Sequence, residues 1–590
     1  MSRTGIFGWL DPAGGHTASL SDWCRRQGGS LAIAGGPFHC WSWPGRDLRT
    51  IEDGTIAGML MGSVYGRAEY DGPAAVAAAY RHGRLAGLDG RLCTVLYDTD
   101  HERLVLYRDG SAGMFWLYRM LPDGAMVFST DLDRLVTSPG TSPIIGRRGL
   151  HEYLRLLDVS TPNTIYEGVH SPEPGQELWL ELGADSPRPR PEAAPAVVGE
   201  TAESVSGTPE EQVERLLIAA VAKRLPPHGP ILAFLSGGID SALIAAIAAE
   251  LAPGRVSAYT VGFEELGFDE TPIAAAIAGH LGLPHRALRL PLSAYRPAFD
   301  ELYSEVSFPF ADPTAVPTLL AYREARTIAP FALDGTGAEV CVGTMPPRHE
   351  RVAVQYGALL PRWLRDIGSR TIGALGPLAG YRPLIDFADP EEVSMRWRGW
   401  TRREVERLCG EPVSLAHTRF YRTFARYGRG EHFERYTSLL AAMPDDRIHE
   451  INRLLGFELR FPFFDPELAA AIAALPLELR DPPGESKRIL RTLLARRVPR
   501  EIWDLPKHGF DFPFADFMAI DDYALLRDYL PQGRVRAYGL VDPDIVADTV
   551  ARFRAGDQGL AFRVWALVVL FAWLERHWRP LAAGTGDSQA

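Results

Sequence analysis

The chain has 590 residues, of which 46% are hydrophobic and 23% charged, so it is long enough for two to four globular domains with cores of their own. Its formal net charge of −12 argues against a broad binding surface for nucleic acid or for an anionic membrane. The five cysteines are odd in number and lack the spacing of metal ligands, which indicates a reducing compartment, and we predict a cytoplasmic protein.

The first 182 residues have the pattern of an antiparallel sheet domain. Short runs rich in β-branched and aromatic residues, such as RLCTVLYD at 91–98 and RLVLYRD at 103–109, are separated by turn residues. Residues 183–212 are rich in Pro, Ser, Glu and Gly and contain little to bury. We therefore predict a domain at 1–182 and a linker at 183–212.

From residue 213 onward, strands and helices alternate. An apolar strand at 229–235 is followed by an apolar helix that ends at Gly254, and the strand RVSAYTVGF occupies 255–263. Such alternation predicts a parallel, doubly wound sheet.

The C-terminal part of the chain reads as mostly helical from 390 to 580. Its longest apolar run, at 564–574, is too short to span a bilayer, so we predict a buried helix there. We place a second domain at 213–580 and a disordered tail at 581–590.

The stretch FLSGGIDSAL, at 234–243, lies at a strand-to-helix junction, where open α/β sheets bind ligands. Its serine and glycines let backbone N–H groups approach a phosphate, and a helix N-terminus follows. Asp240, a carboxylate among phosphates, implies a divalent cation, and we expect Mg²⁺. The alternative is an ordinary glycine-rich turn. A Walker loop is excluded because no Gly-Lys-Ser/Thr follows, and the pattern is that of loops that cleave ATP between the α and β phosphates.

Further motifs appear in a fixed order along the chain, and together they resemble the asparagine synthetase family, which includes β-lactam synthetase and the lasso peptide cyclases. These are PFADPTAVPT at 309–318, GFELRFPFFDPEL at 456–468, SKRILR at 486–491, VPREIWDLPKHGF at 498–510 and RVWALVVLFAWLE at 563–575. The resemblance implies an N-terminal αββα glutaminase-like sandwich, then a pyrophosphate-loop ATP pyrophosphatase domain with a helical C-terminal part.

The resemblance also implies the site residues. Those expected to bind ATP are Leu235, Ser236, Gly237, Gly238, Asp240, Ser241, Val261, Gly262, Gly335 and Lys487. Asp240 and Glu339 would hold Mg²⁺. Lys487 matches a lysine near pyrophosphate, and Lys507 matches one that contacts the adenylate, so both are expected to be catalytic.

Lysine is rare in this chain, which makes these two positions conspicuous. The three lysines are Lys223, Lys487 and Lys507, and the other 59 of the 62 basic residues (62 − 3) are arginine. A compact ammonium on a flexible stem follows charge moving from carboxylate to phosphate better than a planar guanidinium. Lys223 is expected to be a solvated cation at a helix end.

The general base for the attacking amine is less well defined. Asp446, His449 and Glu450 are candidates, although each is also compatible with a structural role. Thr336 stands where asparagine synthetase has Glu and β-lactam synthetase has a catalytic Tyr. Because Thr is a poor base, this departure counts against both of those activities.

The N-terminal domain departs from the glutamine-using members at two places. Thr4 stands where they have a catalytic cysteine, and Met61, Gly62 and Ser63 replace the Asn-Gly-Glu that holds glutamine. We therefore expect an inactive glutaminase-like domain and an amine that comes from elsewhere.

The sharpest expectation is a lasso peptide macrolactam synthetase, which joins the N-terminal amine of a peptide to an internal Asp or Glu side chain. Its partners would be a peptide substrate, a leader-peptide recognition protein and a leader peptidase, with no nucleic acid and no membrane. A small-molecule lactam or amide synthetase, a non-catalytic nucleotide-binding regulator and a glutamine-dependent amidotransferase remain as alternatives.

Overall fold

The structure is a computed structural model of the whole chain. It describes all residues except 1–3, 44, 46–47, 67–71, 111–115, 142, 185, 191–206, 264–269, 375–383, 386, 388, 396–398, 444–445, 483, 506–511 and 579–590. Within helices and strands, the side chains of 263, 292, 370, 373–374 and 446–449 also lie outside the described part.

Two antiparallel sheets form the N-terminal part. The strands are β1 (Gly5–Leu10), β2 (Ser30–Gly35), β3 (Phe38–Trp43), β4 (Leu48–Asp53), β5 (Ile56–Val64), β6 (Gly90–Asp98), β7 (Arg103–Arg108), β8 (Leu117–Met120), β9 (Met126–Ser129), β10 (Glu177–Glu181) and β11 (Arg188–Pro189). One sheet has the order β2-β3-β1-β9-β8 and the other β11-β10-β7-β6-β5-β4.

The two sheets face each other across an apolar core. Phe38 from one sheet and Tyr97 from the other stack with ring centroids 5.4 Å apart, and Val95 and Phe128 are fully buried beside them. Helices cover the outer faces. These are α1 (Thr17–Arg26), α2 (Gly72–Arg81), α3 (Leu132–Thr137) and α4 (Arg147–Leu156). The layers are therefore helix, sheet, sheet, helix.

The second part contains a five-stranded sheet in which every pairing is parallel. Its strands are β12 (Ile231–Phe234), β13 (Val256–Phe263), β14 (His285–Leu290), β15 (Phe331–Leu333) and β16 (Glu458–Arg460), in the order β14-β13-β12-β15-β16. Apolar clusters lie on both faces of the sheet, which is why the inner strands β12 and β15 are apolar runs rather than alternating patterns. The edge strands β14 and β16 carry charged residues.

Helices surround the parallel sheet and form most of the C-terminal part. They are α5 (Pro209–Arg224), α6 (Ile239–Leu251), α7 (Thr271–His280), α8 (Tyr295–Glu305), α9 (Ala315–Ala325), α10 (Ala338–Val342), α11 (Arg348–Gln355), α12 (Arg362–Ala374), α13 (Arg402–Cys409), α14 (Arg419–Ala425), α15 (His432–Ala442), α16 (Asp446–Leu455), α17 (Pro466–Ala473), α18 (Leu477–Arg480), α19 (Arg488–Ala495), α20 (Arg500–Trp503), α21 (Phe514–Tyr529), α22 (Gln532–Tyr538), α23 (Pro543–Arg554) and α24 (Ala561–His577). Helix α21 is interrupted at 520–523, where the backbone is not helical.

The linker predicted at 183–212 extends too far at its C-terminal end. A capping box between Thr208 and Glu211 starts α5 at Pro209, so residues 209–212 are helical. Within the described part of the linker, Arg188 and Pro189 form the edge strand β11. The domain limits themselves remain a prediction.

The apolar run at 564–574 lies in the buried core helix α24, as predicted. The segment Gln558–His577 is long and apolar enough to cross a membrane, but 72% of its most apolar window is buried inside the protein. Tyr153 of α4 donates a hydrogen bond to the carbonyl of Ala566 at 2.8 Å. This helix therefore packs the N-terminal part against the C-terminal part.

A buried ion cluster joins the two parts on another side. Arg224 of α5 is 2.6 Å from Asp89 and 3.6 Å from Asp465. Lys223 also contacts Asp465, at 3.0 Å, and Asp89, at 3.9 Å. The expectation that Lys223 is a solvated cation is thus wrong, because its ammonium neutralises carboxylates at the domain junction.

Candidate active site

In the loop between β12 and α6, serine hydroxyls accept hydrogen bonds from the backbone of the loop itself. The N–H of Ser236 donates to Oγ of Ser241 at 3.0 Å, and the N–H of Gly238 donates to Oγ of Ser236 at 3.1 Å. Gly238 precedes the first turn of α6, and no side chain caps that helix. Its first N–H groups are therefore available to an anion, and the helix dipole favours negative charge there.

Gly335, in the loop after β15, touches the start of α6. A Cβ at this position would lie 2.8 Å from the nitrogen of Ser241 and 2.9 Å from the carbonyl carbon of Asp240. Real Cβ atoms do not approach backbone so closely, so only glycine lets the two loops meet. Gly335 therefore lies beside the nucleotide loop, and its contact with ATP stays a prediction.

Lys487 brings the third predicted segment to the same place. Its Nζ lies 2.6 Å from Oδ2 of Asp240 and 3.5 Å from Oε1 of Glu339. The residue is 8% exposed and has a left-handed backbone, with φ 56° and ψ 39°. Non-glycine residues rarely adopt this conformation, and strained backbone of this kind concentrates at functional sites.

The two predicted Mg²⁺ ligands, Asp240 and Glu339, thus share one ammonium. Oδ1 of Asp240 is buried and has no hydrogen-bond partner among the described residues, so an oxygen ligand is free in the site. The described part of the chain contains no group of three or more His, Cys, Asp or Glu side chains arranged to hold a metal. A pair of carboxylates is nevertheless what Mg²⁺ uses when phosphates and water complete its shell, so the residues fit the ion.

These loops open into a cavity of about 1000 Å³, at the upper end of the range for ligand sites. Most of the predicted nucleotide-binding residues line it, namely Leu235, Ser236, Gly238, Asp240, Ser241, Val261 and Gly335, and so does the predicted Mg²⁺ ligand Glu339. Gly237 lies within the loop, and Gly262 lies in β13 opposite Arg289. Thr336 also lines the cavity, where its hydroxyl donates to Asp334 at 2.6 Å. Asp334 is therefore held by a local turn.

Two of the predicted catalytic residues cannot be placed in this site. Lys507 lies outside the described residues, and Asp446 begins α16 but its side chain is not described. Among the alternatives for the base, Glu450 is corrected here. It is fully buried, accepts from the N–H of Ser307 at 2.7 Å and pairs with Arg453 at 2.8 Å. An acid locked in this way has a structural role.

Two features of the site escaped sequence reasoning. The carboxylate of Glu270 accepts the N–H of Gly237 at 3.3 Å and so sits where the loop is expected to receive phosphate. The cavity wall also includes residues of the N-terminal part, among them Arg108, Asp158 and Ser160. Their position depends on domain packing, for which the sequence carried no local signal.

Comparison with known proteins identifies the family. The family model for asparagine synthase matches residues 212–575, and the model for the glutamine amidotransferase domain matches residues 74–189. The chain belongs to the asparagine synthase family. Its members are ATP-dependent ligases that form amides and release AMP and pyrophosphate, and this protein uses ATP in the same way.

Individual relatives span most of the chain at low identity. A putative glutamine-hydrolysing asparagine synthetase of Mycobacterium tuberculosis is 28% identical over 532 residues, which cover 85% of this chain and 79% of the relative. Asparagine synthetase 1 of Bacillus subtilis is 22% identical over 535 residues, covering 85% and 81%. The carboxyethyl-arginine β-lactam synthase of Streptomyces clavuligerus is 25% identical over 425 residues, covering 72% and 64%.

Proposed function

We propose that this protein closes a macrolactam within a peptide, joining the N-terminal amine to an internal Asp or Glu side chain. The side-chain carboxylate attacks the α-phosphorus of ATP, and pyrophosphate leaves. The amine then attacks the acyl carbon, loses a proton to a base or to water, and displaces AMP. One amide bond and one AMP form for each ATP consumed.

In adenylation, the first step, residues of the described site would stabilise the negative charge of the phosphates. The first N–H groups of α6, which follow the loop, would bind the phosphates. Lys487 places its ammonium beside Asp240 and Glu339, 2.6 and 3.5 Å away. When bound there, Mg²⁺ would neutralise phosphate oxygens as the pyrophosphate departs. A fixed positive charge in such a site lowers the barrier by about 3–4 kcal/mol.

The proposal that the amine belongs to the substrate rests on the N-terminal domain. Thr4, at the position of the missing cysteine, precedes β1 and packs closely on Gly45. A Cβ added to Gly45 would lie 2.1 Å from the methyl group of Thr4. On β5, Met61 and Ser63 offer neither the amide nor the carboxylate that glutamine-using relatives present. Without ammonia from glutamine, an intramolecular amine is the simplest nucleophile, and holding it near the acyl group favours closure.

The peptide substrate and its handling proteins belong to the same proposal. A cavity of about 1000 Å³ leaves room for an acyl group beside the nucleotide. We further propose that a leader-peptide recognition protein delivers the precursor, that a leader peptidase exposes its amine, and that all three act in the cytoplasm.

A second candidate is a small-molecule lactam synthetase, which the similarity to the carboxyethyl-arginine β-lactam synthase favours.

Co-expression of the gene with its immediate neighbours separates the peptide macrolactam proposal from the small-molecule alternative. The expected result is a peptide that has lost one water and resists carboxypeptidase, formed with wild type but not with Lys487→Met or Lys507→Ala. If no peptide changes while AMP and pyrophosphate are still produced, the peptide proposal fails and small amino-acid derivatives take its place.

A further inference from the structure

Helix α12 has the faces of an amphipathic helix in reversed positions. A surface helix usually buries its apolar stripe and exposes its charged residues. In α12, Arg365 and Ser369 are buried, whereas Trp363 and Ile367 are exposed. Arg365 anchors the inner side, because its guanidinium carbon lies 4.0 Å from the centroid of the Phe387 ring and it donates to the carbonyl of Phe387. The helix is therefore held by polar contacts and presents apolar side chains to solvent.

The exposed apolar surface continues into the turn that precedes this helix. Six large hydrophobic residues between positions 356 and 367 are 41–62% exposed, and we call them the α12 face: Tyr356, Leu359, Leu360, Trp363, Leu364 and Ile367. At about 200 Å² for each bare side chain, they expose roughly 600 Å² together. The largest apolar patch of an ordinary monomer covers about 300–600 Å² and is often functional. The α12 face would also supply most of the roughly 800 Å² that one partner contributes to a stable interface.

The charge around the α12 face is positive. Residues 348–370 include five arginines and two acidic residues, in a chain whose net charge is −12. Burial lowers the pKa of the neighbouring His432, and Arg435 and Arg351 lower it further. A basic rim favours an acidic partner. A second copy would instead bring the same positive charge to the interface, and the net charge of the whole chain opposes an anionic membrane.

The spacing of the exposed residues favours a helical partner. Leu360, Leu364, Ile367 and Thr371 follow one another at intervals of four, three and four, and all four are exposed. These are the intervals of the apolar positions in a heptad, on which a second helix packs along a continuous seam.

Helix α11 connects the α12 face to the wall of the cavity. Gln355, the last residue of α11, has its Oε1 3.4 Å from Nε2 of His432 on α15. Before α11, the N–H of Thr344 donates to Oγ1 of Thr437 on the same helix, at 3.1 Å. Tyr436 of α15 lines the cavity, about 6 Å along the helix axis from His432. A protein bound to the α12 face would therefore lie near the helix that forms part of the cavity wall.

We propose that the α12 face docks an amphipathic helix of a separate protein, whose apolar stripe is flanked by Asp and Glu and which brings the substrate to the cavity. The six apolar side chains supply the buried area, and the arginines at the rim orient the acidic helix. This inference rests on the proposed function for what the partner carries. The docking surface itself depends only on the exposure and charge of residues 348–371.

The test measures binding of two helical peptides to the full chain by fluorescence anisotropy. Both peptides carry Leu and Ile at heptad positions, and the flanking residues are Glu in one and Lys in the other. Wild type should bind the Glu peptide about tenfold or more tightly than the Lys peptide. Ile367→Ser should weaken binding of the Glu peptide by about tenfold or more, because few apolar anchors carry most of the affinity of an interface.

Ile144→Ser is the matched control, since Ile144 is 53% exposed and Ile367 is 57% exposed, and Ile144 lies in the N-terminal part. It should leave the affinity within about twofold of wild type. Melting temperatures identify a folding defect, and in that case Trp363→Ser decides the question by the same ratio. The proposal is overturned if wild type binds neither peptide or binds both equally, or if Ile367→Ser and Ile144→Ser have the same effect.

Two further measurements exclude the other occupants. Light scattering of wild type should give the mass of a monomer, and a dimer that Ile367→Ser dissociates would assign the α12 face to a second copy and overturn the proposal. Sedimentation with phosphatidylglycerol vesicles that Ile367→Ser abolishes would assign it to a membrane, with the same consequence. Peptide binding needs no ATP. A protein that binds the Glu peptide as expected but forms no dehydrated peptide on co-expression therefore refutes the proposed function and leaves the docking surface intact.

Discussion

Replacing Lys487 by Met removes the ammonium that the nucleotide loop shares with its two carboxylates. In the wild type, Nζ is 2.6 Å from Asp240 and 3.5 Å from Glu339, so one positive charge offsets two negative charges. After the substitution, both carboxylates repel an incoming pyrophosphate without this offset. We expect magnesium pyrophosphate to bind more weakly.

The size of the effect follows from Coulomb's law for a charge in contact with phosphate. One unit charge about 4 Å from a phosphate oxygen is worth about 4 kcal/mol at an effective dielectric constant near 20. Water and the metal ion reduce this figure, which leaves about 2.7 kcal/mol, or about 100-fold in affinity. Lys487→Arg should recover only part of the loss, because the guanidinium is larger and its geometry is fixed.

The assay is calorimetric titration of the full chain with pyrophosphate at saturating Mg²⁺, which needs no knowledge of the acyl substrate. Lys223→Met is the matched control, since Lys223 also pairs with a buried aspartate, Asp465, at 3.0 Å, but lies at the domain junction. The control should lower the melting temperature and leave pyrophosphate affinity within about twofold of wild type. Equal affinity in Lys487→Met and wild type, or an equal loss in Lys223→Met, would refute the role given to Lys487.

Three further predictions follow from other residues. Gly335→Ala should abolish binding of an ATP analogue, because its Cβ would lie 2.8 Å from backbone of α6, whereas Gly279→Ala on α7 meets nothing within 4 Å and should bind normally by calorimetry. Burial raises the pKa of Glu152 to about 7, so the folded state holds a proton that the unfolded state releases. The contribution of this residue to the free energy of unfolding should therefore fall by about 3 kcal/mol as pH rises from about 4.5 to 7. Chemical denaturation of Glu152→Gln should lack this decline, and parallel pH profiles of variant and wild type would contradict the prediction. Thr4→Cys should release no glutamate from glutamine in a coupled assay, because the residues that hold glutamine remain absent, and measurable release would revive the amidotransferase alternative.

Much of the nucleotide site could be predicted from local patterns. The alternation of apolar strands and helices indicated the parallel sheet, and β13, at Val256–Phe263, lies within its predicted strand at 255–263. The loop residues could be predicted because a glycine-rich turn between a strand and a helix N-terminus is a common anion-binding arrangement. The start of α5 was missed although Thr208 and Glu211 carry the spacing of a capping box.

Contacts between distant segments could not be predicted from periodicity. Lys487 and Asp240 are 247 positions apart in the chain, and only the packing of α19 on α6 brings them together. The edge strand β16 has no recognisable strand pattern in the sequence, because its three residues are too few to show a period. Glu450 was a candidate base because the sequence does not show its burial against Ser307 and Arg453, which is set by tertiary packing.

The most direct test of the central claim follows one oxygen atom. The linear peptide found by co-expression is labelled with ¹⁸O in its Asp or Glu carboxylate and incubated with the protein, ATP and Mg²⁺, without glutamine. Attack of that carboxylate on the α-phosphorus predicts one AMP for each amide bond, with one labelled oxygen in the AMP as measured by mass spectrometry. Amide formation with unlabelled AMP, with ADP in place of AMP, or only when glutamine is added would contradict the account.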